Sequence, residues 1–234
     1  MDKLRVLDLF SGIGGFALGL ERTGGFRTVA FCESSRFKQR ILKKHWPSVE
    51  YHEDIRTLDG EMYAGIDLIC GGFPCKQTSN AAAVHGRRTG LSGPDSRLWY
   101  DMLRVIRQAR PDRALVENPA RDAIAAVQVG LERLDFTVWT FQGNSFACGA
   151  ARLRRRFFAL ADRDSTRLAR TRASGPSETE ARERLAAARR AGLQALPATL
   201  RVDDGFPDRL DRVAAIGDSV DPRLAEEIGR RMMS

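Results

Sequence analysis

The sequence predicts an α/β fold: a doubly wound, mostly parallel sheet carrying a small irregular or helical insertion. Three observations predict it. Short apolar, strand-like runs alternate with helix-patterned segments along the first 161 residues, the order that builds a parallel sheet with right-handed crossovers. A glycine turn, Ser11-Gly12-Ile13-Gly14-Gly15, joins the first strand to the first helix. The apolar run Ile66-Asp67-Leu68-Ile69-Cys70 flows straight into Gly71-Gly72-Phe73-Pro74-Cys75. That places a stiff, proline-braced loop at a strand's carboxyl end, where open α/β sheets put their chemistry.

Leu4 to Phe10 reads as the first strand and Phe16 to Arg22 as the first helix. Phe26 to Phe31 is a second strand ending at Cys32-Glu33-Ser34, and Ser35 to His45 is a helix stopped by Pro47. Ile66 to Cys70 is a buried strand. Leu98 to Ala109 is helical and halted by Pro111; Arg113 to Val116 is a strand entering Glu117-Asn118-Pro119. Ala123 to Leu134 is a helix, followed by strands at Thr137 to Phe141 and Phe157 to Ala161. The character then changes. Thr171 to Thr179 is polar and reads as an exposed loop; Glu180 to Leu196 reads as an Ala/Arg/Glu surface helix. Pattern returns at Arg212 to Gly217 and in a last helix from Pro222 to Arg231. The division is a catalytic domain of residues 1–161 and 209–234, with an insert of 162–208 too poor in large apolar residues to form its own core.

At 234 residues with 43% hydrophobic content, the chain can bury one sizeable core. No apolar run approaches the ~20 residues of a membrane span, and no signal peptide is read, so a cytoplasmic location is expected. Cys32, Cys70, Cys75 and Cys148 have neither zinc-like spacing nor a disulfide framework, so no metal is expected. The net charge of +8 comes with a large share of arginine, which suits phosphates and base edges. Nucleic acid is the expected partner; oligomeric state is not readable.

Gly12, Gly14 and Gly15 allow close backbone approach to a ligand at a helix start. Glu33, past the second strand, is placed to accept both hydroxyls of a ribose. Asp54, in His52-Glu53-Asp54-Ile55, is placed to accept from an adenine amino group. No Gly-Lys-Ser/Thr follows the glycine turn, so it is not a phosphate-binding P-loop. Cys75 is either a core thiol or a nucleophile. Glu117 either caps the next helix or acts as an acid beside Cys75, a pairing suited to covalent attack on an electron-poor ring. Arg152, Arg154 and Arg156 alternate, which puts them on one strand face, for a base carbonyl and a phosphate or simply as a basic edge.

Five segments in order carry a resemblance: Asp8-Leu9-Phe10-Ser11-Gly12-Ile13-Gly14-Gly15-Phe16, Gly71-Gly72-Phe73-Pro74-Cys75, Glu117-Asn118, Arg152-Leu153-Arg154-Arg155-Arg156 and Gly217-Asp218-Ser219-Val220. Together they resemble the DNA (cytosine-5) methyltransferases, in a compact form with a much reduced target-recognition region. The resemblance implies the Rossmann-like methyltransferase fold, S-adenosyl-methionine as cofactor and double-stranded DNA as substrate. It implies that Phe10 packs on the adenine, Glu33 takes the ribose, and Asp54 with Ile55 holds the adenine edge. Pro74 and Leu98 line that pocket, and Ser11, Ser34, Asp218 and Val220 join it. Cys75 attacks C6 of a flipped-out cytosine, Glu117 engages N3 and the amino group, and Arg156 holds the O2 carbonyl with Arg154 in support. Lys76, Arg87, Arg88 and Arg152 are expected on nucleic acid.

The chain departs from the family pattern at four places. Lys76 stands where Gln is usual, Pro119 where Val is usual, Arg152 begins the arginine pattern in place of Gln, and Asp218 replaces Asn. The reduced insert offers little scaffold for reading base edges. Short or relaxed sequence specificity, or a partner protein that supplies it, is therefore expected. The alternatives are an RNA cytosine-5 methyltransferase and a catalytically weak paralogue that binds nucleic acid or regulates a partner.

Overall fold

In the computed structural model, the strands are β1 (Leu4–Leu9), β2 (Phe26–Cys32), β3 (Glu50–His52), β4 (Leu68–Gly72), β5 (Arg113–Asn118), β6 (Thr137–Asn144) and β7 (Arg155–Asp162). They form one seven-stranded sheet in the order β3-β2-β1-β4-β5-β7-β6. Strands β1 to β5 are mutually parallel. Only β7 is reversed, pairing antiparallel with both β5 and β6. The structure describes residues 2–74, 97–148, 155–174, 183, 186–187 and 219–234.

Alternation along β1 sends side chains to two faces. Leu7 and Leu9 enter one apolar layer with Ile69, Val116 and the helices α3 (Leu98–Ala109) and α4 (Arg121–Glu132). Val6 enters the other, with Leu68, Leu115 and the helices α1 (Gly15–Arg22) and α6 (Pro222–Met233). Trp99, Phe26, Phe31 and Phe158 are all fully buried, and each such side chain contributes on the order of 1.5–3 kcal/mol by leaving water. Helix α2 (Arg36–His45) lies outside β2 and packs Leu42 against Phe31.

The predicted elements are present with shifted ends. Phe10 leaves β1 because its φ turns to 53°, so the strand stops one residue early. Strand β4 runs on to Gly72, which carries the extended backbone up to the Phe73-Pro74 corner. Among the described residues, one strand and one α-helix have no counterpart in the sequence reading, nor do the short 3-10 helices Gly60–Tyr63 and Ser145–Cys148. Strand β3 is only three residues long, too short to show a period. A helix, α5 (Ser165–Ala173), occupies a stretch that composition assigns to the polar insert and, from Thr171, to a loop. Its cause is local: Asp164 caps it through the amides of Thr166 and Arg167. Leu168 and Thr171 are buried beneath it, and Arg167 forks onto Asp162 of β7 at 2.7 and 2.6 Å. Of the predicted surface helix, only Glu183, Ala186 and Ala187 are described, all helical and exposed; the Arg212 to Gly217 segment lies outside the described residues.

Candidate functional site

Parallel strands end at the same edge of the sheet, and the predicted residues gather there. The turn after β1 supplies Phe10, Ser11, Gly12, Gly14 and Gly15. The ends of β2 and β3 lead into Glu33, Ser34, Asp54 and Ile55. Pro74 follows β4, Leu98 opens α3, and Glu117 is the penultimate residue of β5. Because β7 runs backward, its start reaches the same edge and brings Arg156 to Glu117. Cys75, Lys76, Arg87, Arg88, Arg152, Arg154 and Asp218 lie outside the described residues.

Three glycines of the turn do different work. A Cβ on Gly14 would sit 2.7 Å from the Trp46 ring, and one on Gly15 would sit 2.2 Å from the Val220 carbonyl. Their close approaches are thus to the protein itself. Gly12, at φ +59°, meets nothing nearer than the Phe10 carbonyl at 4.0 Å among the described residues. The turn is pinned from below: the Ser11 hydroxyl donates to the Asp8 carbonyl and accepts from the Cys32 amide.

Glu33 is 8% exposed. One carboxylate oxygen accepts from the Gly12 amide at 2.8 Å and the other from the Ser35 amide at 2.8 Å. Two amides fix the carboxylate and leave each oxygen further acceptor capacity, which fits a vicinal diol. Asp54 is more occupied. The Arg56 amide and Nε reach its Oδ1 at 2.9 Å each; Nε and Nη2 reach its Oδ2 at 3.0 and 2.7 Å. Arg56 thereby holds the Asp54 carboxyl below its usual range and fills the roughly four acceptor positions of a carboxylate. Any further donor to Asp54 has to displace at least one of these contacts, which is cheap for so exposed a pair.

Glu117 is 4% exposed, and Arg156 Nε lies 2.6 Å from its Oε1. The helix-cap alternative fails on geometry, because Ala120 is the N-cap of α4 and Asn118 Oδ1 accepts its amide at 3.0 Å. Gly72 is opposite Glu117 across β4 and β5, and a Cβ there would fall 2.5 Å from Glu117 Oε2. Gly72 therefore makes room for this carboxylate. Asn118, which sequence reasoning gave no role, is fully buried and donates from Nδ2 to the Phe73 carbonyl at 3.3 Å. It ties the Phe73-Pro74 corner to the strand that carries Glu117. A polar residue directly after a strand-end acid was the available signal.

Asp8 was also missed, because in sequence it is one acid inside an apolar strand. It is fully buried beside Cys70, its partner across β1 and β4, and among the described residues neither oxygen has a well-aligned donor. Burial pushes its carboxyl up to about 8, and Glu33 and Glu21 add to this; the Cys70 thiol and Ala17 amide oppose it. Below that pH the folded chain holds this proton, whereas the unfolded chain releases it near the ordinary value of 3.8. Stability contributed by neutral Asp8 is thus full at acid pH and is lost as pH rises toward 8. Thermal melts from about pH 5 to about pH 8 are expected to fall more steeply for the parent than for Asp8→Asn, by about 1 kcal/mol per pH unit. Parallel melting curves for the two proteins would overturn this reading of Asp8.

The two buried thiols, Cys32 and Cys70, are poor nucleophiles. Burial raises Cys32 to about 12 and Cys70 well above the ordinary value.

The family model for C-5 cytosine-specific DNA methylases matches residues 4–188. Type II methyltransferase M.HgiCII of Herpetosiphon aurantiacus is 30% identical over 170 residues, covering 68% of this chain and 37% of its own length. M.HgiBI of the same organism is 28% identical over 193 residues, covering 79% of this chain and 43% of its own. Type II methyltransferase M.HhaI of Haemophilus parahaemolyticus is 25% identical over 171 residues, covering 70% of this chain and 50% of its own. Among solved structures, a putative DNA modification methyltransferase encoded within an E. coli prophage superposes with a TM-score of 0.56 at 22% identity, over 68% of this chain and 47% of that one. A mutant of Spodoptera frugiperda DNMT2 gives a TM-score of 0.56 at 20% identity, over 70% and 51%. These structures share the fold. The chain spans half or less of the length of the relatives named here.

Proposed function

Because the chain belongs to the C-5 cytosine-specific DNA methylase family, we propose that it transfers a methyl group from S-adenosyl-methionine to C5 of cytosine in double-stranded DNA. One observation carries the reading furthest. The amide-fixed Glu33 and the Glu117–Arg156 pair stand at the same sheet edge, on either side of the Pro74 corner that leads to Cys75.

The residues present fit the cofactor. Glu33 offers a buried, preset acceptor for its ribose, and the space beside Gly12 lets its backbone approach. Phe10, Ile55, Pro74, Leu98 and Val220 supply apolar surface; Ser11, Ser34 and Asp218 complete the pocket in this reading. When bound, S-adenosyl-methionine supplies an electrophilic methyl group on a sulfonium.

The chain's own groups then prepare the base. The Cys75 thiolate adds to C6, forming an S–C6 bond and pushing ring electrons toward N3. Glu117 donates a hydrogen bond or proton there, and Arg156, with Arg154, holds both Glu117 and the O2 carbonyl. C5 becomes nucleophilic toward the methyl group. Loss of the C5 proton to solvent, return of any N3 proton to Glu117 and expulsion of sulfur as the Cys75 thiolate restore the ring. Attack needs access to the ring face, so the base leaves the stack. Lys76, Arg87, Arg88 and Arg152 are assigned to the phosphate backbone. With α5 packed on the sheet, the stretch free to contact bases is shorter than residues 162–208, which supports short or relaxed specificity or a partner that supplies recognition.

The test is labelled methyl transfer to DNA and to RNA, with Cys75→Ser alongside and a duplex containing 5-fluorocytosine as a covalent trap. Transfer to DNA, a trapped adduct with the parent and none with Cys75→Ser are expected. Transfer to RNA alone reassigns the substrate. Transfer to neither polymer overturns the enzymatic reading. Mapping of methylated sites to one long recognition sequence, without a partner, overturns the expectation of relaxed specificity.

A further inference from the structure

The loop that joins β3 to β4 is held from a distance. Arg104, in the middle of α3, donates from Nη2 to the Ile55 carbonyl at 2.6 Å and from Nη1 to the Leu58 carbonyl at 2.8 Å. A longer contact at 3.4 Å reaches the Arg56 carbonyl. Gln108, one turn further along α3, aims the guanidinium by accepting from Nη1 at 2.8 Å, and its oxygen also accepts from the Gly60 amide at 3.3 Å. The loop is pressed onto the helix: a Cβ on Gly60 would meet the Val105 carbonyl at 2.6 Å and Gln108 Cβ at 2.8 Å. Helix α3 is itself anchored through buried Trp99, Met102, Val105 and Ile106. One side chain thus ties three carbonyls of the loop to a rigid element.

The clamped residues are the ones flanking the adenine edge. Arg104 takes the carbonyl of Ile55, and no described group accepts from the Ile55 amide, which stays open as a donor. Asp54, one residue earlier, carries the acceptor. We propose that Arg104, steadied by Gln108, is a positioning residue for recognition of the cofactor's adenine. It sets the spacing between the Asp54 carboxylate and the Ile55 amide without touching the ligand. Arg is suited to this because its planar fork satisfies two carbonyls at once, whereas a lysine ammonium presents a single point. The inference rests on the proposed cofactor site.

The experiment is calorimetric binding of two compounds: S-adenosyl-homocysteine, and its analogue with hydrogen in place of the adenine amino group. The parent is expected to prefer the adenine compound by about tenfold, the worth of one hydrogen bond to a charged acceptor. Arg104→Met is expected to lose most of that preference, and Arg104→Lys to recover part of it. Gln108→Leu, which leaves Arg104 in place but unaimed, is expected to lie between parent and Arg104→Met. General damage weakens both compounds equally and leaves their ratio intact, so a ratio unchanged in all three variants overturns the role of Arg104 alone. A parent that binds neither compound overturns the cofactor site and this proposal with it.

Discussion

Gly71→Ala is expected to lower the melting temperature by about 10 °C, a destabilisation of about 3–5 kcal/mol. Gly71 lies in β4, between β1 and β5, and a Cβ there would stand 2.3 Å from the Leu9 carbonyl oxygen and 3.1 Å from its carbon. Both obstacles are backbone in the middle of a sheet, so no rotamer change relieves them. The strands must part or β4 must shift, and either breaks ladder hydrogen bonds. Gly24→Ala is the comparison. Among the described residues nothing lies within 4 Å of its Cβ position, and its cost is confined to a φ of +79°, about 1–2 kcal/mol. Thermal melts of the two variants check the difference; a Gly71→Ala protein as stable as Gly24→Ala contradicts it.

Glu117→Gln is expected to slow methyl transfer by about 10²–10⁴-fold, the usual worth of a positioned general acid. The substitution is nearly isosteric, and Gln still offers Arg156 an oxygen, so folding and binding of S-adenosyl-homocysteine are expected to persist. What disappears is a group able to give a proton to a ring nitrogen. Single-turnover transfer of labelled methyl, with cofactor affinity measured on the same preparation, separates the two effects. Retention of more than about a tenth of the parent rate would show that Glu117 is not the acid. The Gly72 position links the two predictions. A Cβ there meets the Glu117 carboxylate rather than backbone, so the adjacent glycines serve different ends, Gly71 the sheet and Gly72 the site.

The sequence alone determined the fold class, because strand and helix periods are local properties of the chain and alternate as far as the strand at Thr137 to Phe141. It also determined which residues collect at one edge. Glu33 and Pro74 each follow a strand and Glu117 lies near the end of one, and parallel strands end on the same side. Composition misjudged Thr171 to Ala173, read as loop, and gave Ser165 to Arg170 no element; a cap at Asp164 and an ion pair to Asp162 make a helix there from polar residues. Only the tertiary structure could decide the pairings that span long separations. Arg156 reaches Glu117 because one strand is reversed, which no local pattern reveals. The Asp8 carboxyl is pushed up because β4 and α1 bury it, and Arg104 grips a loop nearly fifty residues away because the crossover lays α3 on it. Local sequence carries periodicity and turn chemistry; burial, register and charge pairing arise when distant segments meet.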